Sequence, residues 1–135
     1  MKYLGIDYGT KRIGVAVSDE TASLAFPLGT VKAGENAVRE VLDIIRENEV
    51  GKVIIGESRD FQGEENPVMK YIEVFKKKLE ESEIDVELEP EFMSSTLAAR
   101  QFAPDGSRKQ NPEHTELDAS AAALILQNYL DRIKK

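Results

Sequence analysis

The stretch Lys2-Tyr3-Leu4-Gly5-Ile6-Asp7-Tyr8-Gly9-Thr10-Lys11-Arg12-Ile13-Gly14-Val15-Ala16-Val17-Ser18 reads as two strands joined by a tight turn, and this reading decides the fold. In its second half Ile13, Val15 and Val17 alternate with Gly14, Ala16 and Ser18, the period-two pattern of a strand. Gly9-Thr10-Lys11 is short enough to close a hairpin between Lys2–Tyr8 and Arg12–Ser18. A third strand near Ala25 to Val31 completes an antiparallel meander.

From Glu35 to Asn48, Val38, Val41, Leu42 and Ile45 fall at helical spacing, with Val50-Gly51 as the exit. Lys52-Val53-Ile54-Ile55-Gly56 is an apolar run without alternation, which predicts a strand covered on both faces at the centre of the sheet. Val68, Ile72, Phe75 and Leu79 share one side of a second helix. Ile84, Val86 and Leu88 alternate with Asp85, Glu87 and Glu89, predicting an edge strand with one wet face that Pro90 terminates. A short helix near Ser94 to Phe102 leads into the loop-like run Pro104 to Pro112. The last helix is expected from about Glu116 to Ile133, capped by Thr115, with Leu117, Ala121, Leu124, Leu126, Leu130 and Ile133 facing inward. This order predicts an α/β fold in one domain, residues 1–135. Its mixed five-stranded sheet combines a three-strand antiparallel meander with two parallel strands, flanked by helices.

Composition bounds the chemistry. The 135 residues include no cysteine, which excludes disulfides, thiolate nucleophiles and cysteine-based metal sites. The single histidine, His114, reads as an exposed loop residue. The N-terminus runs into a strand without a signal-peptide pattern, and no apolar stretch approaches the roughly 18 residues of a membrane span, so a cytoplasmic protein is expected. A net charge of −7 argues against a protein that coats nucleic acid. It leaves room for an enzyme that meets phosphate through metal ions and a local basic patch.

Asp7 ends the first strand among residues that should be buried, and a carboxylate there must be hydrogen-bonded, ion-paired or metal-bound. Two readings stand open: an acceptor for the amides of the Gly9-Thr10-Lys11 turn, or a metal ligand. Asp118, in the first turn of the last helix, is likewise either a dipole-favoured capping acid or a ligand.

The string from Gly5 to Asp19 resembles the opening of the YqgF/RuvX family, whose members are described as Holliday-junction resolvases and as pre-16S rRNA nucleases. Val53-Ile54-Ile55-Gly56 is similar to that family's central strand, and the tail from Leu117 to Leu130 to its last helix. The resemblance implies an RNase H-like fold and a carboxylate site for Mg²⁺ or Mn²⁺ that hydrolyses phosphodiesters, acting on structured RNA or branched DNA, with ribosomal precursor particles as possible partners. Asp7 and Asp118 carry over by motif. Glu91 matches the family's glutamate, but Pro90 and Phe92 replace its flanking Asp and Arg, and the lost Arg would have been a bidentate phosphate ligand. Beyond Gly56 the family pattern gives way to Glu57-Ser58-Arg59-Asp60, so Glu57 is an alternative ligand and Arg59 an alternative cation. Lys11, Arg12, Arg59, Arg108 and Lys109 are the candidate nucleic-acid contacts. Two further classes compete: an actin-like phosphotransferase, for which the chain lacks a second lobe, and a binding or ribosome-assembly module of the same fold with a decayed site.

Overall fold

The computed structural model describes residues 1–9, 11–57, 68–89 and 114–133, and within these the side chains of all but Val68 and residues 114–118. Its elements are β1 (Lys2–Tyr8), β2 (Arg12–Ser18), β3 (Ala25–Lys32), α1 (Ala37–Glu47), β4 (Val50–Gly56), α2 (Val68–Glu81), β5 (Val86–Glu89) and α3 (His114–Ile133). The helix expected over Ser94–Phe102 and the loop to Pro112 lie outside the described residues.

The strands order β3-β2-β1-β4-β5. β1 pairs antiparallel with β2, and β2 with β3, while β4 runs parallel to both β1 and β5. This is the mixed sheet read from the sequence, with one change of rank: the central strand is β1, and β4 lies between it and β5. An unbroken apolar run reports cover on two faces, not place in the sheet, and on that point it is informative. Val53 and Ile55 pack toward α1 and α2, Ile54 packs under α3, and all three are fully buried.

Alternation along β1 divides the core in the same way. Leu4 and Ile6 join Ile13, Val15, Val41, Ile72 and Phe75 on one face. Gly5 meets α3 on the other, where a Cβ would stand 2.7 Å from Leu126 Cβ and 2.8 Å from the Ala122 carbonyl oxygen. Only glycine lets the helix come this close.

Several expectations about the elements on that face are corrected. The inward stripe of α3 is Ala122, Ile125, Leu126, Tyr129 and Leu130, at helical spacing, whereas Leu124 is half-buried and Ile133 is 43% exposed. Ala121, Leu126 and Leu130 are buried as expected, the side chain of Leu117 lies outside the described residues, and the departures are Leu124 and Ile133, in place of which Ile125 and the aromatic Tyr129 are buried. Thr115 is the second residue of the helix rather than its cap, and His114 is the first rather than a loop residue. β5 is an edge, and its acidic face is wet only in part: the Asp85 and Glu87 side chains are 69% and 41% exposed, whereas Glu89 is buried under the C-terminal end of α3, paired with Arg132. Among the described residues no helix is long and apolar enough to cross a membrane.

Candidate active site

Asp7 is half-buried in the last turn of the β1 pleat, opposite Gly14 of β2 and one step beyond the Ile6–Ile55 pair with β4. Side chains two apart on a strand share a face, so Asp7 lies on the α3 side with Gly5 and Tyr3. α3 runs antiparallel to β1 over this face. Tyr129 meets Tyr3 with ring centroids 5.7 Å apart, and Leu126 and Ala122 cover Gly5. The four residues from Ala122 back to Asp118 span about 6 Å of helix, and the two from Gly5 to Asp7 about 6.6 Å of strand. The N-terminal turn of α3 therefore stands at the Asp7 end of the sheet.

Glu57 directly follows β4 at the same end, and its N–H donates to the Glu89 carbonyl oxygen at 2.9 Å. Glu91, Arg59, Arg108 and Lys109 lie outside the described residues. Among the described residues no group of three or more acids or histidines is arranged to hold a metal ion, and the expected trio draws on Glu91 and on the side chain of Asp118. Carboxylates without histidine or cysteine are a donor set suited to hard cations such as Mg²⁺ or Mn²⁺.

The second acid of the opening motif has a different role. Asp19 accepts the Ser23 and Leu24 amides at 2.7 and 3.2 Å and the Thr21 hydroxyl at 2.9 Å. These bonds, the Ser23 amide foremost, hold its carboxyl below the usual carboxylate range. Asp19 builds the β2–β3 turn.

Two features escaped the sequence reading. The first is a polar network beneath α3. Lys52 Nζ lies 2.8 Å from Glu87, the Tyr129 hydroxyl donates to Glu87 at 3.0 Å, and Arg132 pairs with Glu89. Lys52 holds Glu87 below the usual range, and its own pKa is raised chiefly by that bond. Burial pushes Glu89 up against the opposing pull of Arg132, with the charges of Glu87 and Glu57 adding to the rise. The alternation of β5 was visible, but which helix covered it was not. The second is a groove of about 630 Å³ lined by Lys11, Arg12, Thr30, Lys32 and Ala33, at the same end of the sheet as Asp7. Lys32 stands directly across from Arg12, a pairing that follows from hairpin register rather than from any local motif.

A mixed five-stranded sheet with a carboxylate at the end of its central strand and a long helix laid antiparallel across it is the architecture of RuvC-like, RNase H-fold resolvases. Thermus thermophilus RuvC, solved in complex with a Holliday junction substrate, superposes with a TM-score of 0.57 at 16% identity, covering 98% of this chain and 96% of that one. The fowlpox virus resolvase, solved with Holliday junction DNA, gives 0.56 at 17% identity over the whole of both chains. The family model described as RuvX, Holliday junction resolvase, matches residues 1–132. The chain belongs to the RuvX family and is a nuclease acting on nucleic acid. A protein of Chlorobaculum tepidum named "Putative pre-16S rRNA nuclease" is 43% identical over 134 residues, covering 96% of this chain and 93% of its own. One of the same name from Chlorobium phaeobacteroides is 36% identical over 133 residues, with 96% and 92% covered.

Proposed function

We propose that this single-domain protein is a metal-dependent endonuclease that trims precursor 16S ribosomal RNA in the cytoplasm, on the RNA or on precursor particles, with Asp7, Glu91 and Asp118 as the ligands for Mg²⁺ or Mn²⁺. The observation that carries the reading is the packing of α3 on Gly5, which sets the helix turn bearing Asp118 at the end of β1 that bears Asp7. Divalent ions bound there supply activation of the attacking water and neutralisation of the leaving oxygen. The protein's own contribution is to fix the acids on rigid elements and to hold the strand to be cut with Lys11, Arg12, Arg59, Arg108 and Lys109. Glu57, at the same sheet end as Asp7, is the alternative third acid. The relatives' names favour the RNA substrate, and the family's description favours a four-way DNA junction as the second reading.

The test is cleavage of a labelled precursor-rRNA fragment and of a four-way DNA junction, each with Mn²⁺, Mg²⁺ or chelator. Metal-dependent cutting of the RNA in preference to the junction is expected, and the reverse preference would favour the second reading. Asp7→Asn keeps the shape and removes the anionic oxygen, so it should abolish cutting while leaving the fold intact. Cleavage by that variant at the wild-type rate would overturn the site. Binding of both substrates without cleavage under any metal would mark a decayed module.

A further inference from the structure

The groove beside Asp7 is more than a local concentration of charge, because β-sheet register fixes how it joins the acid. Asp7 pairs with Gly14, and Gly14 pairs with Thr30, so the three form one row across β1, β2 and β3. Directly opposed residues point to the same face, here the face that carries α3. The next row on that face is Arg12 opposite Lys32. Gly14, itself buried, contributes no side chain between Asp7 and Thr30, so the two stand on either side of one strand at the same end of the sheet. Two strand spacings separate its ends, roughly 9.6 Å. Lys11 and Lys32 are exposed and make no ion pair among the described residues, in a chain whose net charge is −7. The acidic flank across β4 and β5, by contrast, has Lys52 and Arg132 committed to Glu87 and Glu89.

From this asymmetry we infer that the Lys11–Arg12–Thr30–Lys32 groove is a phosphate track: it takes the backbone of the nucleic acid strand beyond the phosphate at Asp7 and sets the side from which the strand enters. The spacing matches, since a group roughly 9.6 Å from Asp7 meets a phosphate other than the one held at the acid. The chemistry matches as well: two lysines and an arginine meet phosphate oxygens, and the Thr30 hydroxyl donates a neutral hydrogen bond. Backbone contacts of this kind position a strand without reading its sequence. The track therefore supplies grip and polarity, from the flank opposite β4 and β5. The inference rests on the nuclease reading for what is cut, but the track itself is a binding claim.

The experiment measures binding of a fluorescein-labelled RNA hairpin with a single-stranded extension, by anisotropy in chelator, at 0.05–0.4 M KCl. Alongside it, cleavage in Mn²⁺ is measured for that substrate and for one shortened on the extension side to end one nucleotide from the cut. Losing one phosphate contact removes about 0.7–0.9 from the slope of log K against log salt, which at 0.1 M is roughly a five- to eightfold loss of affinity. Lys32→Gln should show that loss with KM raised and kcat little changed, Lys32→Arg should restore it, and the shortened substrate should not distinguish Lys32→Gln from wild type. Lys11→Gln, with a wild-type melting temperature, should behave in the same way. Wild-type affinity and salt slope in Lys32→Gln and Lys11→Gln, in a protein that cleaves, overturns the track and leaves the nuclease standing. Weakened binding by both variants, in a protein that cleaves nothing, upholds the track and removes the nuclease reading. No measurable binding by wild type overturns the track.

Discussion

Gly5→Ala is the sharpest probe of how the fold builds the site, because its effect can be worked from two contacts. The added Cβ would sit 2.7 Å from Leu126 Cβ and 2.8 Å from the Ala122 carbonyl oxygen, and neither atom is the far end of a flexible side chain. Ordinary contact begins at 3.4 Å, so α3 must retreat from β1 by 3.4 − 2.7 = 0.7 Å. Overpacking of this kind costs about 1–3 kcal/mol. For a domain of this size that is a fall in melting temperature of roughly 3–15 °C. The functional loss should exceed the stability loss. Oxygen ligands hold a divalent ion within about ±0.2 Å of their proper distance, and a misplacement approaching 1 Å can cost on the order of 100-fold in rate. Cleavage by the fully folded variant, assayed well below its melting temperature, should therefore drop roughly 10- to 100-fold. Calorimetry and single-turnover cleavage on one preparation read both quantities. A wild-type melting temperature would refute the close approach of α3. A lowered melting temperature with undiminished cleavage would refute the claim that the seat of α3 sets the acid geometry.

Three other expectations follow. Glu91→Gln should weaken Mn²⁺ binding and cleavage sharply while Glu57→Gln is nearly silent; isothermal titration with the results exchanged would move the ligand to Glu57. Arg132→Ala strands the buried Glu89 carboxylate and should cost about 1–3 kcal/mol near neutral pH. Arg132 holds down a folded pKa that burial has already raised above its unfolded value, so its removal raises that pKa further; the variant's deficit in chemical denaturation should be full above the variant's folded pKa and shrink as pH falls from there to the folded pKa of wild type, below which both carboxyls are neutral. Asp19→Ala should lower the melting temperature at pH 7 without changing metal-dependent cleavage. Since Asp19's folded pKa is depressed, its contribution is present above the unfolded value of 3.8 and is lost as pH falls through the folded one, where the variant and wild type should converge.

What was legible in the sequence was whatever a short period encodes. The hairpin of β1 and β2, the α1 stripe and the double cover of β4 each follow from spacing within a dozen residues, and each appears in the structure. Central rank in the sheet passed from β4 to β1 because rank depends on which strands find which edges, a long-range choice that no local run records. The wet face assigned to β5 holds at Asp85 and Glu87 but fails at Glu89, for a related reason. Glu89 looks like a solvated acid until Arg132, more than forty positions later, is laid over it. At the site, Asp7 and Asp118 stood out through motif, but what relates them is Gly5, whose missing side chain carries no charge or hydrogen bond to draw notice. Lys32 was missed because its importance lies in facing Arg12 across a hairpin with an irregular register.

That register bears on the loss of the family's Arg at Phe92. A nuclease with a carboxylate site repels its own substrate unless cations offset the acids, and here the described acids and cations are unevenly divided about β1. On the β4–β5 side Lys52 and Arg132 are consumed by Glu87 and Glu89, so that flank offers little attraction to phosphate. On the β2–β3 side Lys11 and Lys32 make no such pairs among the described residues and are exposed at the sheet end that holds Asp7. Among the described residues, long-range attraction through a screening length of about 8 Å then acts chiefly from that flank. A strand drawn to that flank meets the groove at the end of the sheet that holds Asp7. In this chain the cation lost beside Glu91 thus need not be replaced in place: the approach of the substrate is set from the opposite edge of the same central strand.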